Sequence, residues 1–334
     1  MLDTHTLLEL LACHSTPGDE GDVRAVLERV WRQSGLKPVR FGDYAISASA
    51  GLPGRKPVLL VTAHMDSPGF AVDRLRIPRG RSGAIGLTPI GHPAFASQRV
   101  PGILKTRTGK TPVSLRKRRL PGGFFDYHAE PVASTPWPPA DLAHGDRVCF
   151  ASSPERAGSE IRAPFLDNRL GCWMLAELAP RLADWRSPWR IVLGATACEE
   201  AGGFGATVLA RQVQPNLVIV LDATYDAPDQ PVRLGRGPVL TLADASVFLS
   251  PARRDQIQNL FSAAGIPFQT EVYNYSGTDA RAFPQQGLPC PVLPLLLPTT
   301  GNHSPRETAD LRDANVLLDA IRRLGDLNPD WVAG

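Results

Sequence analysis

The 334 residues carry 43% hydrophobic side chains, enough for one large or two modest packed cores. Against 36 basic residues stand 33 acidic ones, and a formal charge of only +3 implies neither a nucleic-acid partner nor a membrane surface. Cys13, Cys149, Cys172, Cys198 and Cys290 are odd in number, scattered and free of C-x-x-C spacing. They predict neither a disulfide framework nor a thiolate zinc site, and a reducing cytoplasm suits them best.

The opening residues MLDTHTLLELLACHS carry early acids and a helical period, so they do not read as a signal peptide, and no apolar run reaches membrane-spanning length. Leu7, Leu8, Leu10 and Leu11, then Val23, Val26, Leu27 and Val30, recur at helical spacing on either side of Ser15-Thr16-Pro17-Gly18. Two helices joined by a tight corner are predicted. Tyr44 to Ala50 reads as a strand, and the apolar run from Pro57 to Ala63 as a second one that delivers His64 and Asp66 at its carboxyl end. Residues two apart in an extended chain share a face, so the Asp66 carboxylate can fix the orientation of the His64 ring, as metal-binding histidines require.

Between about Arg74 and Arg162 the long apolar runs vanish and proline and glycine become frequent. Short β-prone pieces at Gly102 to Thr106, Pro112 to Leu115 and Asp146 to Phe150 predict an inserted small barrel or sandwich. Residues 1–73 and 163–334 then form one discontinuous catalytic domain and residues 74–162 the inserted β-rich domain. The basic run Arg116 to Arg119 reads as a solvated loop or subunit contact, and His92, His128 and His144 as surface residues.

The large-domain pattern resumes with Asp167 placed just before a helix marked by Leu170, Trp173, Met174, Leu178 and Leu182. Ile191 to Gly194 is a short buried strand that stops against the adjacent carboxylates Glu199 and Glu200 and the glycines Gly202, Gly203 and Gly205. Leu217 to Leu221 is another such strand, ending in Asp222. Ser250 and Pro251 open a helix to about Ala264; Phe268 to Tyr273 is strand-like; Leu293 to Leu297 is a last apolar strand, followed by His303 and a helix from Leu311 to Leu324. The fold expected is α/β, a mixed central sheet flanked by helices. In such sheets ligands bind beyond the carboxyl ends of the strands, where these polar residues fall.

His64, Asp167, Glu200, Asp222 and His303 are thus two imidazoles and three carboxylates beside strand ends or a helix start. The set suits two zinc ions, with one carboxylate shared, one histidine and one further acid for each metal, and open positions for water and substrate. Glu199 is left over as a base.

In order along the chain stand STPGDE (Ser15–Glu20), AHMDSPGFAV (Ala63–Val72), FLDNRLG (Phe165–Gly171), ACEEAGGFGA (Ala197–Ala206), VLDAT (Val220–Thr224), SGTDA (Ser276–Ala280) and NHSPRE (Asn302–Glu307). With these motifs most of the chain resembles the co-catalytic di-metal glutamyl or deblocking aminopeptidases, whose relatives include tetrahedral dodecameric shells. That family also inserts a β-rich domain between the first histidine and the bridging aspartate, here a separation of roughly a hundred residues. The resemblance implies a di-zinc exopeptidase-like fold in which His64 and Asp222 hold one metal, Glu200 and His303 the other, and Asp167 bridges. It implies that Asp66 orients His64 and that Glu199 takes a proton from the bridging water and passes it to the leaving amine. It also implies a cis peptide between Asp167 and Asn168.

The sequence departs from the family at Ser67-Pro68, where Glu-Ile is usual, at Cys198, where Gln is frequent and where packing rather than ligation is expected, and throughout the insert. The function implied is metal-dependent removal of N-terminal residues from short peptides by a cytoplasmic homo-oligomer, with two divalent ions as cofactors: zinc, with cobalt or manganese as alternatives. An amidase or deacylase, a carboxypeptidase using Arg169 or Arg281 to hold a terminal carboxylate, and a non-catalytic metal-binding homologue are the other readings. Neither side-chain preference nor metal identity is written in these motifs.

Overall fold

A computed structural model describes residues 2–50, 56–74, 83–132, 137–273 and 276–332. Two helices, α1 (His5–Leu11) and α2 (Gly21–Gln33), precede the strands β1 (Val39–Phe41), β2 (Ala45–Ser49) and β3 (Val58–His64). The strands β4 (Gly69–Arg74), β5 (Ile85–Ile90), β6 (Arg99–Lys105), β7 (Lys110–Arg119), β8 (Phe125–Pro131) and β9 (Arg147–Phe150) follow. Next come β10 (Glu155–Ala157), β11 (Glu160–Ala163), α3 (Leu166–Leu178), β12 (Arg190–Thr196), α4 (Phe204–Val213), β13 (Leu217–Tyr225), β14 (Val239–Asp244) and α5 (Pro251–Ala263). The chain ends with β15 (Gln269–Tyr273), α6 (Ala282–Gln285), β16 (Val292–Thr300), β17 (Glu307–Asp310) and α7 (Leu311–Gly325).

Among the described residues, eleven strands form one mixed sheet whose main path is β1-β2-β12-β3-β13-β16-β17-β11-β10, with β14 on β16 and β15 on β14. The centre of that path, β12, β3, β13 and β16, is parallel. All of β3 is buried, as a central parallel strand requires, and Leu59, Leu60 and Val61 each gain roughly 1.5–3 kcal/mol from leaving water. On α2, Val23, Val26 and Leu27 are buried as the helical spacing predicts, while Val30 is only half-buried and Trp31 completes the stripe. Ser250 caps α5 by accepting from the Arg253 N–H at 3.2 Å.

Because β12, β3, β13 and β16 run the same way, their carboxyl ends open on one edge. Register sharpens this: Thr196 lies beside His64, and Val220 beside Thr62, so Asp222, two residues on, is level with His64. The turn after β12 is tight. A Cβ on Gly205 would come within 2.4 Å of both the Tyr44 oxygen and the Ala197 nitrogen, so only glycine lets α4 start so close to β2.

The segment between β3 and β10 holds a closed six-stranded barrel, β4-β5-β8-β7-β6-β9, which settles barrel over sandwich. Its strands begin at Gly69 and end at Phe150, while β10 and β11 join the large sheet. Two sequence expectations change here. Arg116 to Arg119 is no loop but the end of β7, paired along its length with β8. His128 lies on β8 and is buried, not at the surface: it falls opposite Arg116 of β7, with the Asp126 carboxylate 3.8 Å from its Nδ1, on the strand face away from Tyr127 and Ala129. His92 and His144 are exposed as expected.

Candidate metal centre

His64, last residue of β3, points its Nε2 at two acids: Asp222 Oδ1 at 3.2 Å and Asp167 Oδ1 at 3.3 Å. His303, past the end of β16, points its Nε2 at Glu200 Oε1 at 3.3 Å and Asp167 Oδ2 at 3.5 Å. The two oxygens of Asp167 therefore face different histidines. Two groups result, His64–Asp167–Asp222 and Asp167–Glu200–His303, each with donor atoms within 4.8 Å of one another. Asp167 precedes the regular part of α3, with extended backbone angles and a cis peptide to Asn168, as the resemblance implies.

Asp66 sits under both groups. The carbonyl oxygen of Asp66 is the nearer partner of His64 Nδ1, at 3.1 Å, with its carboxylate at 3.6 Å. That carboxylate instead accepts the backbone N–H of Glu199 at 3.0 Å and of Glu200 at 3.1 Å. One fully buried acid thus fixes the histidine and aims the two glutamates.

Glu199, whose side chain is 9% exposed, lies off both donor groups, with Oε1 3.5 Å from Arg281 Nη2. Ser67 fills the position of the unusual Ser-Pro pair: its hydroxyl donates to the Asp167 carbonyl at 2.7 Å. Arg169 is fully buried and donates to the carbonyls of Met65 at 2.7 Å and Leu10 at 3.3 Å, so its guanidinium is committed to the scaffold. Cys198 has its thiol 3.5 Å from Glu20, and burial with that acid pushes the thiol up to about 12, leaving it neutral.

Two further acids brace the candidate centre and were not assigned from sequence. Glu307 is buried and accepts the N–H of Asp167 at 2.9 Å and of His303 at 3.1 Å, tying the shared acid to one histidine. Glu20 accepts the N–H of Gly18 at 2.7 Å and of Cys198 at 3.1 Å, tying the N-terminal corner to the turn before the glutamates. Each is the last acid of its motif, STPGDE or NHSPRE, and an acid ending such a motif was the available signal.

Charge tests whether cations fit. Burial pushes Glu200 well above the ordinary carboxylate range, and the charges of Asp167 and Glu199 add to it. Glu199 is likewise raised well above its ordinary value by burial, against the pull of His64 and with Asp222 and Asp279 adding. For Asp167 burial works upward too, yet the imidazoles of His303 and His64 beside its two oxygens prevail and hold it below its ordinary value. The buried Asp167 Oδ1 and Glu200 Oε1 accept no hydrogen bond. Buried acids with open lone pairs and mutual repulsion are the environment that divalent cations relieve, and the nitrogen and oxygen donors suit zinc-like ions.

The sequence model of the M42 glutamyl aminopeptidase family matches residues 140–319, just over half of the chain and four of the five proposed ligands. The chain belongs to that family. It is therefore an aminopeptidase and a hydrolase, and the family's metal dependence accounts for the donor groups above. This M42 chain is 29% identical over 303 residues to the glutamyl aminopeptidase of Lactococcus lactis, covering 82% of this chain and 81% of that one. A TET aminopeptidase from a marine sediment Thaumarchaeota archaeon superposes with a TM-score of 0.86 at 22% identity, over 98% of each chain. Pyrococcus horikoshii TET1, a peptidase that can assemble into a tetrahedron or a large octahedral shell, gives 0.81 at 21% identity over 96% of this chain and 98% of that one. These likenesses extend the M42 fold across the barrel. Among the described residues no helix is long and apolar enough to cross a membrane.

Proposed function

We propose that His64 and Asp222 hold one divalent ion, Glu200 and His303 a second, and Asp167 both. The observation that carries this is the division of the two Asp167 oxygens between His64 and His303, at 3.3 and 3.5 Å. Zinc is the first choice for two histidines and three carboxylates, with cobalt and manganese as alternatives. Ions bound there supply Lewis acidity, polarising an amide carbonyl and making water nucleophilic near neutral pH.

The chain's own part in the reaction is proton transfer and aim. Glu199, little exposed and outside both donor groups, takes a proton from the attacking water and gives it to the nitrogen of the leaving amine, so a peptide plus water becomes an amino acid and a shortened peptide. Asp66, through the two N–H groups it accepts, keeps Glu199 and Glu200 at a fixed separation while this happens. Arg169 cannot hold a peptide's terminal carboxylate, because its guanidinium is buried in the scaffold, which leaves Arg281, beside Glu199, as the arginine a carboxypeptidase would use.

The substrates in this reading are short peptides with a free N-terminal residue, and the protein acts as a cytoplasmic homo-oligomer. Support for assembly comes from the Pyrococcus horikoshii relative. The closure of six strands on themselves supports a β-rich domain inserted into a discontinuous catalytic domain; the division at 74–162 is drawn from sequence, and the barrel strands themselves run from Gly69 to Phe150. The test incubates metal-loaded enzyme with one peptide in free and N-acetylated forms and follows products by mass. Stepwise loss from the free N-terminus is expected; cleavage of the acetylated form alone, or release from the C-terminus, overturns the reading in favour of a deacylase or carboxypeptidase.

A further inference from the structure

The loop between β5 and β6 leaves the barrel and lies against the metal centre. Gly91 in this loop has φ of +70°, and a Cβ there would stand 2.9 Å from Glu200 Cβ, 3.3 Å from Pro68 Cα and 3.4 Å from Glu200 Oε2. Three residues on, the Ala94 N–H donates to the His303 carbonyl at 2.8 Å. His303 needs such support, because its own φ of +64° is a left-handed conformation that non-glycine residues adopt at a cost. Glu307 holds its N–H and Ala94 its carbonyl.

The far end of the loop is pinned to the barrel. Phe95 is buried and packs edge-on against Phe150, with centroids 5.9 Å apart, and against Tyr127 at 6.1 Å. Lys117 of β7 places its ammonium 5.0 Å from the centre of the Phe95 ring and donates to the Phe95 carbonyl. A continuous path therefore runs from barrel core through Phe95 and Ala94 to His303, with Gly91 shaped round Glu200.

Of the residues met at Gly91 and Ala94, Pro68 is in neither donor group, and the other two, Glu200 and His303, belong to the same one. His64 and Asp222 are instead set by β3, β13 and the Asp66 carbonyl. We infer that Gly91 and Ala94 are positioning residues for the Glu200–His303 ion alone, so that the barrel sets the affinity of one metal and not the other. This rests on the two-ion reading above. A side chain at Gly91 must displace either Glu200 or the loop, and loss of such support from a ligand costs about 10- to 100-fold in metal affinity.

The test titrates metal-free protein with cobalt, reading the visible absorption bands and counting equivalents, for wild type, Gly91→Ala, Lys117→Met and Gly109→Ala. Wild type takes up two equivalents. Gly91→Ala weakens one of them by about 10- to 100-fold and leaves the other within about twofold. Lys117→Met, which loosens the Phe95 anchor from outside the site, weakens the same equivalent to a smaller degree and decides the matter if Gly91→Ala fails to fold. Gly109→Ala, at a barrel hairpin with open space around its Cβ, binds as wild type. If wild type binds two ions and both Gly91→Ala and Lys117→Met bind both as tightly, or lose both alike, the inference is overturned while the two-ion reading stands. Uptake of fewer than two ions by wild type overturns both together.

Discussion

In the barrel, Arg99 and Arg116 converge on Glu130 at 3.0 and 2.8 Å, and Arg118 meets Asp126 at 3.3 Å. At the carboxyl edge of the sheet, Asp167, Glu199, Glu200 and Asp222 crowd round two imidazoles, with Arg281 3.5 Å from Glu199. These barrel charges are matched by partners of the same chain. At the sheet edge negative charge is left over, and it is buried, where mismatch is most costly. Charge that a fold gathers and leaves uncompensated is a demand for something the chain does not contain, and here that demand marks the metal centre.

The widest separation between the two regions is expected from the adjacent glutamates. Glu199→Gln should keep both ions and the fold and lose about 100- to 10,000-fold in turnover, since it removes a proton acceptor and no ligand. Glu200→Gln should lower metal content instead. Elemental analysis beside turnover on an aminoacyl anilide separates them; equal loss of metal in both variants, or near-normal turnover in Glu199→Gln, breaks the division of roles.

A smaller effect is expected one layer out. Asp66→Asn turns one of two acceptors into an NH₂ group facing a backbone N–H, either that of Glu199 or that of Glu200. Metal affinity should fall by about 10- to 100-fold, and a buried donor pair left unsatisfied costs roughly 1–3 kcal/mol of stability. Metal titration and urea unfolding of the metal-free protein read the two parts separately. An Asp66→Asn protein that binds both ions normally would show that the glutamates are aimed by the turn after β12 without this acid.

What the sequence disclosed follows the same contrast. Continuous apolar runs such as Val58 to Ala63 and Leu217 to Leu221 are visible because a parallel strand is buried on both faces, and each runs directly into a proposed ligand, His64 or Asp222. The barrel strands alternate, as in the pattern of Arg99–Lys105, and are short or broken by proline and glycine, so their number and pairing are fixed by closure, which no local window contains. The same reason hid β17: Glu307 to Asp310 has no apolar signature and is a strand because β16 and β11 lie on either side. Glu20, Glu307 and Gly91 were unassigned because each acts through backbone N–H groups or close approach to residues far away in the chain.

Where the two regions meet, Lys105 of β6 bridges Asp19 at 2.8 Å and Asp22 at 3.1 Å, joining the barrel to the corner before α2. Burial pushes Asp19 upward, but hydrogen bonds from His14 and Lys105 outweigh it and hold the carboxyl below its ordinary value. A depressed carboxyl contributes stability that is fully present above its unfolded value near 4 and is lost as pH falls through the lower folded value. Lys105→Ala should therefore cost about 1 kcal/mol at pH 7, and the difference from wild type should shrink as pH drops below about 4. Unfolding curves across pH 2–7 check this; a gap of the same size at every pH would place the loss in packing of the lysine stem.

The smallest effect should come from inside the barrel's own charge pairs. Arg118 is 55% exposed and meets Asp126 at 3.3 Å, in a setting where water screens the attraction and where two flexible side chains must be ordered to form it. Arg118→Ala is expected to change stability by under about 0.5 kcal/mol, a shift in Tm of at most about 2 °C, and to leave metal uptake unchanged. Lys117, its neighbour on the opposite face of β7, reaches Phe95 and the loop at the metal centre, so the two substitutions separate by face although they are adjacent in sequence. Calorimetry and cobalt titration of the pair decide it: if Arg118→Ala weakened one ion as Lys117→Met is expected to, the route from barrel to centre would be the whole strand, and the contrast between a self-compensated barrel and a demanding sheet edge would have to be redrawn.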